Sequence, residues 1–280
     1  MRVNKKYINL QWWRYATVPK LLNLRASIGF HRHIIEKTVE GVSFQFDIAN
    51  PNAEVWYGRG SSDSSIEMRF VRDRMLTPGS NIIECGAHHG YTTILLANWV
   101  GPEGRVFALE PIPEYAEVIH RNISLNKIKN VCVLAEAVGA TSGHIQFRPE
   151  KNAVLPTGKK SGGLDTRVTT LDDFCETRSF APNLIKIDVE GFEIDVLRGA
   201  RRVLASHPAL QIEVHPHQIG NFNRTVEDLW RLIDFDAYEL WYQSHDLADV
   251  VRIAGPILIP DRSHIYCIPK YAALTHVSYC

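Results

Sequence analysis

Asn81-Ile82-Ile83-Glu84-Cys85-Gly86-Ala87-His88-His89-Gly90, running on into Tyr91-Thr92-Thr93-Ile94-Leu95-Leu96, is the stretch from which the fold is read. A short apolar run ends at a glutamate, turns through two glycines and re-emerges as a longer apolar run. That pattern reads as a buried strand, a tight loop and a helix. Gly86 lets the chain turn sharply and lets a ligand approach the backbone. Gly90 lets the following helix pack close to the strand. A helix starting near Thr92 offers free amides and the positive end of its dipole.

The same alternation continues on both sides. A helix is expected from Ile66 to Leu76, closed by Pro78-Gly79. Downstream come a strand over 105–110, a helix over 115–126 and a strand over 131–135. Strands over 184–189 and 210–214 follow, with a helix over 192–204 between them. Strands alternating with helices imply a parallel sheet covered on both faces. Near the end, residues 237–242 and 264–268 read as a closing antiparallel pair. Residues 41–58 read as strands, because Val42-Ser43-Phe44-Gln45-Phe46-Asp47-Ile48 alternates apolar and polar. Gly58 to Ser65 is a polar loop, and Arg148 to Arg167 a long polar loop of the kind that serves as a lid. Two regions are expected: an N-terminal helical and strand cap over 1–75, for substrate or oligomer contacts, and a ligand-binding domain over 76–280.

Composition excludes several classes. The chain has 280 residues, with 31 basic and 31 acidic side chains, so bulk electrostatics argues against a nucleic-acid protein. It contains no apolar run long enough for a transmembrane helix, and its basic start is not followed by a secretory signal. The five cysteines include no CxxC pair, which suits free thiols in a reducing, cytoplasmic setting. Cys280 does not form a prenylation signal. Residues 1–40 are rich in Lys and Arg, with Trp12, Trp13 and Tyr15 among them. This segment reads as an amphipathic helix docked on the domain or forming a homodimer contact, or as a basic helix on an anionic surface.

In open parallel sheets, ligands bind beyond the carboxyl ends of the strands. Glu110 ends the second strand, twenty residues after Gly90. A carboxylate there is placed to accept both ribose hydroxyls of an adenine nucleoside. A nicotinamide fingerprint would be GxGxxG, but His88 takes the second glycine position. Glu84, two residues before Gly86, suits the zwitterionic amino-acid end of S-adenosylmethionine and disfavours a pyrophosphate. Glu84, Gly86, Ala87, His88, Gly90, Thr92 and Glu110 are therefore the expected donor site.

These residues resemble the FkbM family of methyltransferases. The matching pieces begin with residues 81–90, Ala108-Leu109-Glu110-Pro111 and Asn122-Ile123-Ser124-Leu125-Asn126. They continue with Glu136-Ala137-Val138-Gly139, Thr169-Thr170-Leu171-Asp172-Asp173-Phe174, Lys186-Ile187-Asp188-Val189-Glu190-Gly191-Phe192-Glu193 and Gln211-Ile212-Glu213. The resemblance implies an α/β class I methyltransferase fold, Rossmann-like, with a seven-stranded, mostly parallel sheet and helices on both faces. It implies O-methylation of a sugar or natural-product intermediate. It also adds Pro111, Ile112, Glu136, Ala137 and Asp188 to the donor site. Two departures stand out: Glu84 replaces the usual Asp, and His88-His89 replaces the usual Asn and small or apolar residue.

Buried parallel strands are nearly all apolar, yet two here are not. Residues 186, 188 and 190 share a face if their strand continues, as do 211, 213 and 215. The class I order makes those strands neighbours, so Asp188, Glu190, Glu213 and His215 are expected to cluster near the sulfonium. Methyl transfer to a hydroxyl needs alignment and removal of a proton. His215 is a candidate base, with Asp188 sharing the proton. Alternatively, Asp188, Glu213 and His215 hold a divalent ion (magnesium, calcium or manganese) that acidifies the hydroxyl. Lys186 also reads as the partner of a buried carboxylate, Glu190-Gly191 as a helix cap, and His207 and His217 as surface residues. Trp56, Tyr57, Trp241 and Tyr242 are candidate stacking faces for a sugar or else core aromatics. The acceptor is a small molecule or glycan. Competing readings are a non-catalytic protein that binds S-adenosylmethionine, and a nicotinamide-dependent oxidoreductase.

Overall fold

The computed structural model describes residues 29–58, 66–148, 153–155, 163–244 and 248–270. The basic aromatic segment around Trp12, Trp13 and Tyr15, the loop 59–65, most of the expected lid and Cys280 lie outside them. Packing divides the chain between Asp63 and Ser64.

The first unit holds β1 (His33–Val39), β2 (Val42–Ile48) and α1 (Pro51–Tyr57). The strands form an antiparallel hairpin in which Val39 pairs with Val42. Glu40 and Gly41, both at positive φ, make the two-residue turn that such hairpins favour. Two expectations are corrected here. Residues 33–39 form a strand rather than part of a basic helix, because their buried positions alternate. Residues 51–57 form a helix rather than a strand. Asn50 caps it, its side-chain oxygen accepting from the Ala53 N–H at 2.9 Å, and Pro51 supplies a helix-ready first residue.

The second unit opens with α2 (Ile66–Met75), followed by β3 (Asn81–Cys85), α3 (Tyr91–Val100), β4 (Arg105–Leu109), α4 (Pro113–Leu125) and β5 (Val131–Leu134). Next come β6 (Ala137–Val138), β7 (Gly143–Arg148), β8 (Ala153–Leu155), β9 (Leu164–Thr169) and α5 (Leu171–Arg178). After these follow β10 (Leu184–Ile187), α6 (Glu193–Arg198), α7 (Arg201–Leu204), β11 (Ala209–Val214), α8 (Pro216–Gly220) and α9 (Val226–Trp230). The chain closes with β12 (Tyr238–Gln243), β13 (Val251–Ile253) and β14 (Ser263–Pro269). The main sheet has eight strands in the order β13-β12-β14-β11-β10-β3-β4-β5. The strands from β11 to β5 run parallel, and β14 enters antiparallel between β11 and β12. This is the class I methyltransferase arrangement with one short edge strand, β13, added. A second sheet, in the order β6-β9-β7-β8, occupies part of the expected polar loop. The expected helix over 192–204 is two short helices, broken at Gly199-Ala200.

Both faces of the main sheet are covered. Ile83, Ile185, Ile187 and Ile212 pack with Phe174, Val196 and Trp230 on one side. Ile82, Val106, Leu184 and Tyr266 pack with Val71, Leu96 and Val100 on the other. The second side also carries a polar row, because register aligns Glu84, Lys186, Gln211 and Tyr266 on four neighbouring strands. α2 covers this row, and its Glu67 accepts from Gln211 Nε2. The sequence reading placed 66–75 with the N-terminal cap; its packing places it with the sheet. No helix among the described residues is long and apolar enough to cross a membrane.

Ile83 is fully buried. Ile83→Ala is expected to lower stability by about 2–5 kcal/mol through lost burial and the cavity left behind. Urea unfolding should show a lower midpoint at unchanged slope.

Candidate active site

The carboxyl ends of β3, β4 and β10 meet at the glycine loop. Gly86 has φ +85°, and a Cβ there would lie 1.8 Å from the Asp188 carbonyl oxygen. Only glycine permits that approach of two backbones. The contact is tied by the Asp188 N–H donating to the Cys85 carbonyl at 3.0 Å. Gly86 and Ala87 both donate to the Leu109 carbonyl, which fixes the loop to β4. Gly90, φ +83°, caps α3, and a Cβ there would press on Ile119. Thr92 lies in the first turn of that helix.

Glu110 is buried just after β4. One of its oxygens accepts from the His88 N–H at 2.8 Å and the other from the Ile112 N–H at 3.0 Å. Burial pushes its carboxyl up to about 8 despite those two hydrogen bonds. Each oxygen keeps a further lone pair, so a diol can be received without dismantling the site. Pro111 and Ile112 lead into α4, with Pro113 as its first residue. Glu136 stands between β5 and Ala137 of β6, and Arg167 from β9 reaches it at 3.3 Å.

His88 has φ +51°, a left-handed conformation that Asn, Asp and His adopt more readily than other side chains. Its ring packs edge-on against His89 and Tyr115, with the two Nδ1 atoms 3.0 Å apart. Burial, then the Lys186 charge, lowers His88 to about 4, so it is neutral. His89 is fully buried, and its carbonyl accepts from Asn122 Nδ2 at 2.8 Å. The histidine pair therefore braces the loop against α4.

Glu84 lies near the end of β3, with its Oε1 lacking a hydrogen-bond partner. It is buried, accepts from Thr93 Oγ1 at 2.6 Å, and lies 4.0 Å from Lys186 Nζ. Burial raises it to about 7. Lys186 also donates to Asp188 Oδ2 at 3.3 Å. Burial works against the Lys186 charge, but Asp188 and Glu84 outweigh it and raise the ammonium above its ordinary range.

Beyond Lys186 the acid cluster assembles. Ligand atoms of Asp188, Glu213 and His215 all lie within 4.8 Å of one another. β10 ends at Ile187, so the shared face does not extend unbroken to Glu190. Instead Glu190, φ +51°, turns back until its Oε2 is 3.7 Å from His215 Nε2, and it accepts from Gln218 Nε2 at 3.1 Å. It does not cap α6, whose N-cap is Phe192. His215 Nε2 is 3.4 Å from Glu213 Oε1, and its Nδ1 is 2.7 Å from Glu193 Oε1. Arg262 donates to Glu213 at 2.8 Å.

Burial raises Asp188, and Glu213 beside it raises it further. Burial also works to raise Glu213, but His215, His264 and Arg262 hold it well below the usual range. Burial lowers His215, yet hydrogen bonds to Glu193 and Glu213 and the Glu190 charge lift it to about 11. This environment favours the protonated imidazolium over the free base.

Thr93, Asn122, Tyr115, Glu193, Gln218 and Arg262 join the site without having been singled out. Asn122 and Glu193 lie inside the matched pieces, which could have flagged them. Nothing local marks Arg262. His217 and His207 are exposed, as expected of surface residues, each beside an aspartate. Trp241 packs with Phe70 on the α2 side of the sheet, and Tyr242 bonds Ser263 at 3.2 Å.

The family model and the curated relatives agree on the class. A family model described as a methyltransferase FkbM domain matches residues 84–243. The hexuronic acid methyltransferase AglP of Haloferax volcanii is 32% identical over 116 residues, 40% of this chain and 48% of that protein. A protein-L-isoaspartate O-methyltransferase of Methanothrix thermoacetophila is 36% identical, over 32% of this chain and 52% of its own. The chain thus spans about half the length of these curated relatives. Among solved structures, fibrillarin of Aeropyrum pernix, with natively bound S-adenosyl-L-methionine, has a TM-score of 0.42 at 14% identity, covering 87% of this chain and 86% of its own. TYW2 of M. jannaschii, in complex with AdoMet, has a TM-score of 0.45 at 16% identity, covering 85% and 86%.

Glu110 has a pH signature. Its folded value, about 8, exceeds its ordinary 4.5. Between these the folded state holds a proton that the unfolded chain has released, so stability falls as pH rises through the window. Glu110→Gln is expected to flatten the decline of Tm between about pH 5 and 8. An unchanged slope in a thermal series would count against the assigned shift.

Proposed function

This chain belongs to the FkbM methyltransferase family, and from that premise we propose that it transfers the methyl group of S-adenosylmethionine to a hydroxyl of a sugar or natural-product intermediate. The observation that carries the reading is the abutment of the Gly86 loop on Asp188, which sets an acid cluster directly beside the donor loop. Glu110 receives the ribose hydroxyls. Gly86, Ala87, His88, Gly90 and Thr92 line the amino-acid side, with Glu84 supporting them from below. Pro111, Ile112, Glu136, Ala137 and Asp188 complete the donor pocket. A sugar acceptor is supported by the hexuronic acid in the name of the Haloferax relative. The balanced reaction converts the sulfonium to a thioether, forms an O–CH3 bond and releases the hydroxyl proton.

Asp188, Glu213 and His215 also fit a divalent cation. Two carboxylates and one imidazole converge, and oxygen-rich sets favour magnesium, calcium or manganese. Such an ion, when bound, supplies Lewis acidity to the acceptor oxygen. His215 would hold such an ion as a neutral imidazole, its Nε2 proton passing to solvent, and Glu190, partly exposed beside it, takes the hydroxyl proton. The N-terminal unit, residues 1–63, is proposed to contact a second copy of the chain, giving a homodimer, or the acceptor. The setting is cytoplasmic, with no nucleic-acid partner.

Two measurements test this. Calorimetry should show S-adenosylmethionine binding, no NAD binding, and donor affinity weakened roughly tenfold or more in Glu110→Gln, about 1.4 kcal/mol. Donor consumption across a panel of glycosides should fall at least about a hundredfold in Asp188→Ala, the usual scale for losing a proton-handling or charge-stabilising group. An unchanged rate would remove Asp188 from the mechanism. Insensitivity to EDTA would remove the cation.

A further inference from the structure

One buried acid of the site has no part in the reaction as assigned. Glu193 begins α6, and its side chain is fully shielded from solvent. Its Oε1 accepts from the Gly191 N–H at 3.0 Å and meets His215 Nδ1 at 2.7 Å. Its Oε2 is buried with no hydrogen-bond partner. A carboxylate only accepts, so the hydrogen of the shorter contact sits on Nδ1. That orientation turns Nε2 away from Glu193 and into the gap where Glu213 and Glu190 lie at 3.4 and 3.7 Å. The His215 ring is itself only 3% exposed, so no water can substitute for the missing acceptor.

An acid in the first turn of a helix has a simpler use, favourable interaction with the helix dipole. Here the carboxylate is turned instead toward a ring nitrogen on the neighbouring strand end. The Gly191 amide holds it there. Nothing about dipole stabilisation requires that aim.

We propose that Glu193 is the positioning residue of the acid cluster: its carboxylate fixes the ring orientation of His215 and keeps a proton on Nδ1, so that Nε2 faces Glu213 and is the nitrogen left for a cation. The proposal rests on the cation reading above. A histidine that ligates a metal through one nitrogen ordinarily gives the other N–H to a carboxylate or carbonyl, and losing that partner weakens the site about 10–100-fold. Glu193 supplies that partner before any ion arrives.

The test uses the full chain and manganese as probe, with free Mn(II) read by electron paramagnetic resonance. Glu193→Leu is expected to weaken manganese binding about 10–100-fold. Glu193→Gln, which keeps an oxygen for the Nδ1–H, should recover most of the loss. Calorimetry should find S-adenosylmethionine affinity unchanged in both, which separates the effect from misfolding. Manganese binding at wild-type strength in Glu193→Leu overturns the proposal. If the leucine variant does not fold, Glu193→Asp, which withdraws the carboxylate by one methylene, carries the same expectation and the same overturning result. If the wild type binds no manganese, the cation reading fails, and spectra of protein labelled with 15N-histidine decide the positioning role alone. A low-field Nδ1–H resonance that is missing from His215→Ala should then be present in the wild type and lost from Glu193→Leu. Its persistence in Glu193→Leu overturns the proposal.

Discussion

The site depends on one buried ammonium. Lys186 sits between Glu84 on the neighbouring strand and Asp188 at the end of its own. Removing a charge of either sign from such a group leaves the others uncompensated, which costs several kcal/mol. The lysine therefore does more than balance charge. It joins the strand that carries the glycine loop to the strand that carries the acid cluster, at the level where Gly86 and Asp188 touch. The glycine loop and the acid cluster are held in register by a polar contact inside an otherwise apolar sheet.

Much of this was legible in the sequence, for definite reasons. Strand, loop and helix over 81–100 follow from apolar runs punctuated by glycine, and Glu110 follows from its place at the next strand end. The polar residues in otherwise apolar strands, 186 and 188 in one and 211 and 213 in the other, announced their convergence. The side on which each would act was harder to read. Glu84 was expected at the donor, but alternation of side chains points it into the interior, toward Thr93 and Lys186. His215 was expected as a base, but Glu193, Glu213 and Glu190 surround it, and three carboxylates keep its proton in place.

Other features were hidden because their cause lies far away in sequence. Arg262 follows a stretch with no motif, and only the antiparallel entry of β14 beside β11 brings it to Glu213. The hairpin at 33–48 was half seen: its second strand alternates cleanly, while its first was masked by the surrounding basic residues. The helix at 51–57 follows an Asn-Pro start signal that the preceding strand pattern overrode. His88 and His89, the departures in the loop, act locally. One accepts a left-handed backbone and the other fills the space beneath Tyr115.

The antiparallel closing strand also orders events during synthesis. Most of the residues proposed for the donor, from Glu84 through Ala137, lie in the first half of the chain, and Asp188 follows in the second. The counter-charges on Glu213, contributed by Arg262 and His264, are among the last described residues to leave the ribosome. A domain generally folds as a unit, and residues 64–280 form one such unit. The glycine loop, tied through Gly86 and Cys85 to Asp188, is therefore completed together with the acid cluster, once nearly all of the described chain has emerged.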